Sequence, residues 1–242
     1  MPRSIEVSLS PALYPFRTTT GRHITIVIDI LRFTTSLVSA FDHGVKAVIP
    51  VATPEEAESL KNKGYPVAAE RDGLRLPFAD YGNSAADFDN PDIKGKTLAY
   101  STTNGTVAMN LASPNGPVAA AAFSNLKAVA AWVSAQELNT VILCSGWKNL
   151  FSIEDTLCAG AIAELLSSAG DYTINCDAAQ MSVNLWSMAK ADLKAHLMHT
   201  SHYKRLIKLG VDPLPDYTVQ LSISGAVPVL SEGLIINNSP DL

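Results

Sequence analysis

Short apolar runs alternate with helical patterns through the first two-thirds of the chain. The runs are nearly continuous and rich in β-branched residues, as in parallel strands that are covered on both faces. They predict strands at Ile24–Ile30, Ala47–Val51, Val67–Ala69, Thr97–Tyr100, Val118–Ala121 and Thr140–Cys144. Apolar spacing predicts helices at Thr35–His43, Thr53–Lys63, Gly105–Ala112, Asn125–Gln136 and Ile153–Ser168. This alternation predicts an α/β fold of three layers, α/β/α, around a mostly parallel sheet.

The last third of the chain follows a different pattern. Residues 177–209 have helical spacing, and the apolar runs Tyr217–Ile223 and Val227–Leu230 predict two short strands. We therefore expect an α/β core in residues 1–170 and a C-terminal α+β portion in residues 171–242. Because no linker marks the boundary, the C-terminal portion forms either a second lobe or part of the same domain.

Composition and charge exclude several classes of protein. With 47% hydrophobic and 17% charged residues in 242, the chain is not a disordered protein. The 18 Lys and Arg against 23 Asp and Glu give a net charge of −5, which argues against nucleic acid and anionic membranes as partners. We find no secretory signal and no transmembrane segment. The odd set Cys144, Cys158 and Cys176 lacks metal or disulfide spacing, so we expect free thiols in the cytoplasm.

Polar side chains follow four of the predicted strands directly. The segments are Asp29-Ile30-Leu31-Arg32-Phe33-Thr34-Thr35-Ser36, Glu70-Arg71-Asp72-Gly73, Ser101-Thr102-Thr103-Asn104-Gly105-Thr106, and Ser145-Gly146-Trp147-Lys148 with Ser152-Ile153-Glu154-Asp155. In open parallel sheets, ligands bind outside the carboxyl ends of the strands. The irregular stretch Glu70–Gly95 is long enough to be functional rather than a simple connection. Together these features predict a site for an anion and a hard cation.

Each segment also has a structural interpretation. Asp29 could end a strand and pair with Arg32, although a carboxylate after so apolar a strand favours a functional role. The hydroxyls of Thr34 and Thr35 suit ordinary N-caps as well as an anion site. Ser101–Thr106 resembles a phosphate cradle in composition, and an N-cap turn looks the same.

Glu154 and Asp155 follow Ser152 at capping-box spacing, so they fit either a helix cap or a metal site. His196, His199 and His202 are spaced by three and fit a polar helix face better than a metal site.

The same stretches resemble the 2-phosphosulfolactate phosphatase (ComB-like) family, in the family's order over nearly the whole chain. The matching segments are Ile28–Ser36, Glu70–Leu74, Asp80–Ser84, Ser101–Thr106 and Glu154–Gly160, with a looser match through Arg205-Leu206 and Leu209-Gly210 to Val227-Pro228-Val229. The chain departs from the usual family residues at Phe33, Ala69, Ala85 and Ser101. Of these, Phe33, where the family commonly has Ala, and Ala85 could reshape the pocket.

The resemblance implies a Mg²⁺-dependent phosphatase that converts 2-phospho-3-sulfolactate to sulfolactate and phosphate, in the coenzyme M pathway. The ligands that it implies for Mg²⁺ are Asp29, Glu70 and Asp155, with Glu154 or Asp80 in reserve. Arg32 and Arg71 are expected to act beside Asp29 and Glu70 in catalysis, through bidentate contacts to the substrate's anionic groups. The implied substrate-binding residues are Thr34, Thr35, Asn83, Ser84, Thr103, Asn104, Gly105 and Thr106.

Two questions of mechanism and two rival functions stay open at this point. The nucleophile is either water, which we favour, or Asp29 itself. A haloacid-dehalogenase-type phosphatase is the alternative enzyme, but its DxDx[TV] pattern fails because Leu31 stands two residues after Asp29. A non-catalytic sensor of phosphorylated or sulfonated acids is the alternative binding protein. We expect a small-molecule substrate and allow for a homodimer.

Overall fold

The computed structural model describes residues 2–239. The strands are β1 Arg3–Ser8, β2 Ile24–Ile28, β3 Ala47–Val51, β4 Val67–Arg71, β5 Leu74–Arg75, β6 Thr97–Ser101, β7 Val118–Ala121, β8 Thr140–Cys144, β9 Tyr172–Ile174, β10 Pro228–Ser231 and β11 Leu234–Asn237. The helices are α1 Phe33–Asp42, α2 Pro54–Asn62, α3 Gly105–Ala112, α4 Leu126–Gln136, α5 Ile153–Ser168, α6 Asp177–Ala189, α7 Leu193–Met198, α8 Ser201–Lys208 and α9 Asp216–Val219. Within these residues no helix is both long enough and apolar enough to cross a membrane.

The strands form one mixed sheet in the order β5-β4-β6-β3-β11-β10-β7-β2-β8-β1-β9. The pairs β4–β6, β6–β3, β7–β2, β2–β8, β8–β1 and β1–β9 are parallel. The antiparallel hairpin β10–β11 lies between the two parallel halves, against β7 on one side and β3 on the other. Helices α2, α4 and α5 pack on the sheet against β4, β7 and β8. The predicted three-layer α/β/α class is therefore confirmed.

The central strand β2 is buried at every position, which explains its unbroken apolar sequence. Helix α2 begins where the sequence predicts. The Thr53 hydroxyl accepts a hydrogen bond from the Glu56 amide, and the Glu56 carboxylate caps the Thr53 amide in return. The strands β2 and β8 run parallel to each other, and so do β4 and β6. Three antiparallel pairings through the hairpin β10–β11 separate these two halves, so the halves run in opposite directions and strand direction alone does not bring their carboxyl ends together.

The C-terminal strand prediction at Tyr217–Ile223 is wrong. Asp216–Val219 forms the short helix α9, and the true last strand is Leu234–Asn237. The apolar run Val227–Leu230 does form β10, shifted by one residue. The sequence pattern also missed β1, whose apolar and polar residues alternate over only six positions. Because the hairpin β10–β11 is hydrogen-bonded within the sheet, we propose that residues 1–170 and 171–242 form one domain.

Candidate active site

Asp29 is the first residue after β2, and its side chain is only 6% exposed. The Thr34 hydroxyl accepts a hydrogen bond from the Asp29 amide at 2.9 Å and donates one to the Asp29 carbonyl at 3.0 Å. The Phe33 amide donates to the Asp29 carboxylate. Within residues 2–239 no side chain donates a hydrogen bond to this carboxylate. The turn therefore holds a buried acid in place at the strand end while leaving its oxygens available.

Asp155 connects the turns that follow β2 and β8. It lies in the first turn of α5, whose N-cap is Ser152. One Asp155 oxygen accepts the Ile30 amide at 2.8 Å and the other accepts the Gly146 amide at 2.9 Å. Since both oxygens bind backbone donors, Asp155 fixes the relative positions of the two turns.

Glu70 does the same for the turns that follow β4 and β6. Its two oxygens accept the Thr103 amide at 2.7 Å and the Gly73 amide at 2.8 Å. Arg32 Nη2 donates to the Gly73 carbonyl at 2.7 Å, so the β2 turn is tied to the same loop. Four turns from both parallel halves of the sheet thus converge on one place.

The site concentrates negative charge away from water. Burial, together with the charges of Glu70 and Glu154, raises the pKa of Asp29 to about 7. Burial and the charges of Glu154 and Asp29 raise the pKa of Asp155 well above its ordinary value. Arg32 lowers the pKa of Asp29, but no ion pair within 4 Å joins the two residues in the described part of the chain. The structural interpretation of Asp29 as the partner of Arg32 is therefore not what the geometry favours.

Helix α8 brings two further residues to this cluster. His202 Nδ1 lies 2.8 Å from the Glu154 carboxylate, and both side chains are buried. The Arg205 guanidinium carbon lies 3.4 Å from the centre of the Trp147 ring. Sequence reasoning missed both residues, although the looser family match at Arg205 was a signal. Of the three spaced histidines, His202 lies in α8 and contacts Glu154, whereas His196 lies in the separate helix α7 and His199 at the end of α7.

A cavity of about 290 Å³ opens beside the cluster, at the start of α3. Its lining residues are Pro11, Thr103, Asn104, Val107, Ser145, Lys148 and Asn149. The Ser145 hydroxyl is buried there without a hydrogen-bond partner among the described residues. A helix start, a free hydroxyl and a lysine in one cavity suit an oxyanion.

A second cavity, of about 280 Å³, lies on the Arg32 side. Gly73, Asn83 and Ser84 also line it, and Asn83 is held by a hydrogen bond of 2.5 Å from the Tyr100 hydroxyl. A larger cavity, of about 830 Å³ and lined in part by Arg17 and Arg22, lies near the amino ends of β2 and β7, at the opposite end of the sheet from the carboxylates.

Several predicted site residues are occupied by structural contacts instead. Asp80 forms an ion pair of 2.6 Å with Lys61 and accepts the Val67 amide at 2.9 Å. The structure therefore does not bring it to the other carboxylates. Arg71 donates to the Ser101 hydroxyl at 2.8 Å and to the Ala52 carbonyl at 3.0 Å. It cross-links strand ends rather than facing either cavity.

The hydroxyls predicted to bind substrate are also used locally. The Thr35 hydroxyl donates to the Ile30 carbonyl at 2.9 Å. The Thr106 hydroxyl donates to the Thr102 carbonyl at 3.3 Å. With the Thr34 contacts above, these bonds shape the turns, so any substrate contact there would come from backbone amides. Thr103 and Asn104 do line the cavity.

The donor set suits a magnesium ion held by few protein ligands. No group of three or more His, Cys, Asp or Glu side chains is arranged to hold a metal within residues 2–239. Mg²⁺ is commonly bound through one or two carboxylates, with water and substrate phosphate completing its octahedron. Among the described residues, Asp29 accepts one backbone hydrogen bond, from Phe33, and Glu154 contacts the His202 ring, so each carboxylate has an oxygen to offer a cation. The residues present fit the ion.

A sheet whose strand ends join buried carboxylates to an oxyanion cavity defines an α/β enzyme of phosphate-ester chemistry. The family model of 2-phosphosulpholactate phosphatase matches residues 9–233. The chain is 33% identical over 211 residues to a "Probable 2-phosphosulfolactate phosphatase" of Thermotoga petrophila, which covers 87% of this chain and 90% of that protein. Proteins of the same name from Thermotoga maritima and Clostridium tetani are each 34% identical, over 87% of this chain and 90% of theirs. The chain belongs to the 2-phosphosulpholactate phosphatase family.

Proposed function

We propose that this protein is a phosphoric monoester hydrolase that cleaves 2-phospho-3-sulfolactate to sulfolactate and phosphate. One observation carries the proposal: the buried acids Asp29, Glu70, Glu154 and Asp155 meet beside an oxyanion cavity at the start of α3. The family and the relatives' names support the substrate. The direct test is phosphate release by the purified protein from 2-phosphosulfolactate and from a panel of other small phosphoesters.

The arrangement separates three tasks. Asp29 and Glu154 would hold Mg²⁺, which when bound supplies positive charge to offset that of the phosphoryl oxygens. The α3 amides, Ser145 and Lys148 orient the phosphoryl group. Asp155 and Glu70 keep the turns in register, so the reacting groups are positioned before substrate arrives. His202 orients the Glu154 carboxylate through the 2.8 Å hydrogen bond.

The same observation weighs against the rival functions. A sensor of anionic metabolites gains nothing from several buried carboxylates, which repel its ligand unless a cation is present. The haloacid-dehalogenase alternative lacks its motif, and the family match to 2-phosphosulpholactate phosphatase supports the other enzyme. Hydrolysis that occurs only with a divalent cation would distinguish the enzyme from the sensor in one assay.

Removal of divalent cations is expected to abolish turnover, and Mg²⁺ is expected to restore it best. The reason is the excess of buried carboxylates, which no lysine or arginine among residues 2–239 neutralises within 4 Å. The measurement is phosphate release after exhaustive chelation and readdition of Mg²⁺, Mn²⁺ or Ca²⁺. Full activity in chelator would contradict the metal role.

The pKa of Asp29 also gives this metal site a pH signature. Its folded pKa of about 7 is above the ordinary 3.8, so the folded metal-free protein binds the proton more tightly than the unfolded chain. Asp29 therefore stabilises the fold at low pH, and this contribution is lost as pH rises from about 4 through 7. Since Mg²⁺ favours the ionised form, its stabilising effect should be larger at about pH 8 than at about pH 6. Thermal unfolding with chelator or Mg²⁺ at both pH values measures this.

Arg32→Lys is expected to lower kcat/KM by about ten- to a hundredfold. Lysine keeps the charge but loses the planar fork, and a charged hydrogen bond contributes about 1.5–3 kcal/mol. Arg32 is buried, reaches the Gly73 carbonyl and lines the second cavity. Arg75→Lys is the matched control, because Arg75 lines the same cavity from an exposed position. If Arg32→Lys is as active as the wild type, the role of Arg32 is limited to its contact with the loop at Gly73.

Three further expectations belong to this proposal. A role in coenzyme M synthesis follows only if sulfolactate is the product. A cytoplasmic location is expected because the odd number and the spacing of Cys144, Cys158 and Cys176 do not suit a disulfide framework. A homodimer is tested by the mass of the purified protein in solution.

A further inference from the structure

Arg205 presents an unsatisfied edge inside the site. Its Nε and Nη2 atoms are buried and have no hydrogen-bond partner among the described residues. These two nitrogens lie on one edge of the guanidinium, where their parallel N–H groups match two oxygens of a single oxyanion. A buried donor without an acceptor is costly, so the fold maintains this edge at the expense of stability.

Two contacts fix the guanidinium in this position. It stacks on Trp147, with 3.4 Å from its central carbon to the ring centre. Trp147 follows β8 in the turn that Asp155 holds through Gly146. Helix α8 is anchored by the His202–Glu154 contact one turn earlier. The cation is thus held rigidly, which lowers the entropy cost of binding an anion.

The neighbouring carboxylates do not use this edge. Glu154, Asp72, Glu70 and Asp29 act on Arg205 through their charge, whereas burial lowers its pKa. None of the four lies within 4 Å of its nitrogens in an ion pair in the described chain. Asp72 pairs with Lys148 at 3.0 Å instead, and Glu154 with His202. Within residues 2–239 no acceptor serves this edge, which is therefore open to an anionic ligand.

Arg205 also stands apart from the phosphoryl cradle. The cavity at the start of α3 is lined by Ser145 and Lys148, and Arg205 does not line it. The substrate proposed above carries two anionic groups that are not transferred, a carboxylate and a sulfonate. A sulfonate offers three oxygens to the fork and, like a guanidinium, is weakly hydrated, which suits a stacked arginine.

We propose that Arg205, held against Trp147, binds the sulfonate of the substrate and sets the specificity for sulfonated phosphoesters. This inference rests on the proposed function and adds to it the residue that recognises the sulfonate, a group that is not transferred.

The test compares two substrates in the full-length protein with Mg²⁺. One is 2-phosphosulfolactate, and the other is 2-phospholactate, which keeps the phosphoryl and carboxylate groups but lacks the sulfonate. Arg205→Lys should lower kcat/KM for the sulfonated ester about ten- to a hundredfold, mainly through KM. It should change kcat/KM for 2-phospholactate less than about threefold. Lys204→Gln, an exposed neighbour on α8, is the matched control and should leave both substrates unchanged.

Binding of the product, 3-sulfolactate, and of its analogue lactate gives a second measurement that needs no turnover. Calorimetry should show tighter binding of 3-sulfolactate than of lactate to the wild type, and loss of this difference in Arg205→Lys. A third substrate, 2-phosphooxyethanesulfonate, lacks the carboxylate. Arg205→Lys should lower kcat/KM for this substrate as well.

The outcomes separate this inference from the proposed function. Equal loss on both esters would overturn the inference, because Arg205 would then act on the phosphoryl group or the fold. If Arg205→Lys lowers kcat/KM only for substrates that carry the carboxylate, Arg205 binds the carboxylate, and the sulfonate assignment is overturned. Sulfolactate binding that depends on Arg205, without hydrolysis of any ester, would support the inference and contradict the phosphatase activity. Unchanged kinetics and binding would contradict the inference alone.

Discussion

Asp29→Asn is expected to lower kcat/KM by at least about a thousandfold, or about 4 kcal/mol of transition-state stabilisation. Asparagine nearly keeps the shape of the side chain but removes its charge and its nucleophilicity, so both possible roles of Asp29 predict this loss. The measurement is steady-state phosphate release at saturating Mg²⁺. Asp80→Asn is the matched control and should stay within a few-fold of wild type, because Asp80 pairs with Lys61 instead of joining the cluster.

Stability should change in the opposite direction. Burial and two neighbouring acids disfavour the ionised form of Asp29 in the metal-free fold, so Asp29→Asn should raise the melting temperature in chelator at about pH 8. A protein that is more stable and yet inactive would show that the carboxylate serves chemistry. A variant that unfolds in chelator would instead assign Asp29 a structural role.

The role of Asp29 in the chemical step is decided by whether the wild-type enzyme becomes phosphorylated during turnover. A covalent route passes through an aspartyl-phosphate, whereas direct attack by water never labels the protein. We expect rapid acid quench and intact-mass measurement to show no phosphorylated enzyme during turnover. A stoichiometric adduct that maps to Asp29 would overturn the water mechanism and leave the metal to Glu154, with Glu70 and Asp155.

The convergence of the strand ends was predictable from local pattern only within each half of the sheet. Apolar runs located β2, β4, β6 and β8, and parallel pairing brings together the residues after β2 and β8, and separately those after β4 and β6. The approach of Asp155 to the turn after β2 follows this rule, with the Ile30–Asp155 hydrogen bond spanning 125 residues. The approach of Glu70 does not, because it joins two halves of the sheet that run in opposite directions. What the pattern could not give is which oxygen faces which donor. It did not show that backbone amides occupy both oxygens of the Glu70 carboxylate and both oxygens of the Asp155 carboxylate.

The C-terminal contribution to the site was not predictable in the same way. Helix α8 reaches the site through tertiary packing, with Leu206 and Leu209 lying over Gly73. Nothing local in its sequence distinguishes Arg205 from the exposed cations beside it. Likewise, the apolar pattern at Tyr217–Ile223 is compatible with a strand and with a short helix, and only tertiary contacts select the helix. The hairpin in the middle of the sheet depends on pairing partners more than 100 residues away, such as Val118 with Leu230.

Gly105→Ala is expected to reduce both stability and activity, because there is no room for a side chain where α3 begins. A Cβ added at Gly105 would lie 2.2 Å from Cδ1 and 2.5 Å from Cγ of Phe33. Phe33 is fully buried and packs edge-on against Tyr100, with ring centres 5.2 Å apart, so it cannot turn away easily. Overpacking of this kind costs about 1–3 kcal/mol. The displaced α3 start would also misplace the oxyanion cavity, for a further loss of about a hundredfold in kcat/KM.

Phe33 also stands where the family resemblance implies an alanine, and this supplies the rescue experiment. Phe33→Ala alone should cost about 3–5 kcal/mol by opening a cavity. In Phe33→Ala/Gly105→Ala the added methyl enters that space, so the second substitution should cost less than it does in the wild type, with a coupling of about 0.5–3 kcal/mol. The double-mutant cycle is measured by denaturant unfolding and by kcat/KM with 2-phosphosulfolactate. Strict additivity of the two substitutions would show that Gly105 is not required by its contact with Phe33, and that the amides at the start of α3 are positioned by some other element of the fold.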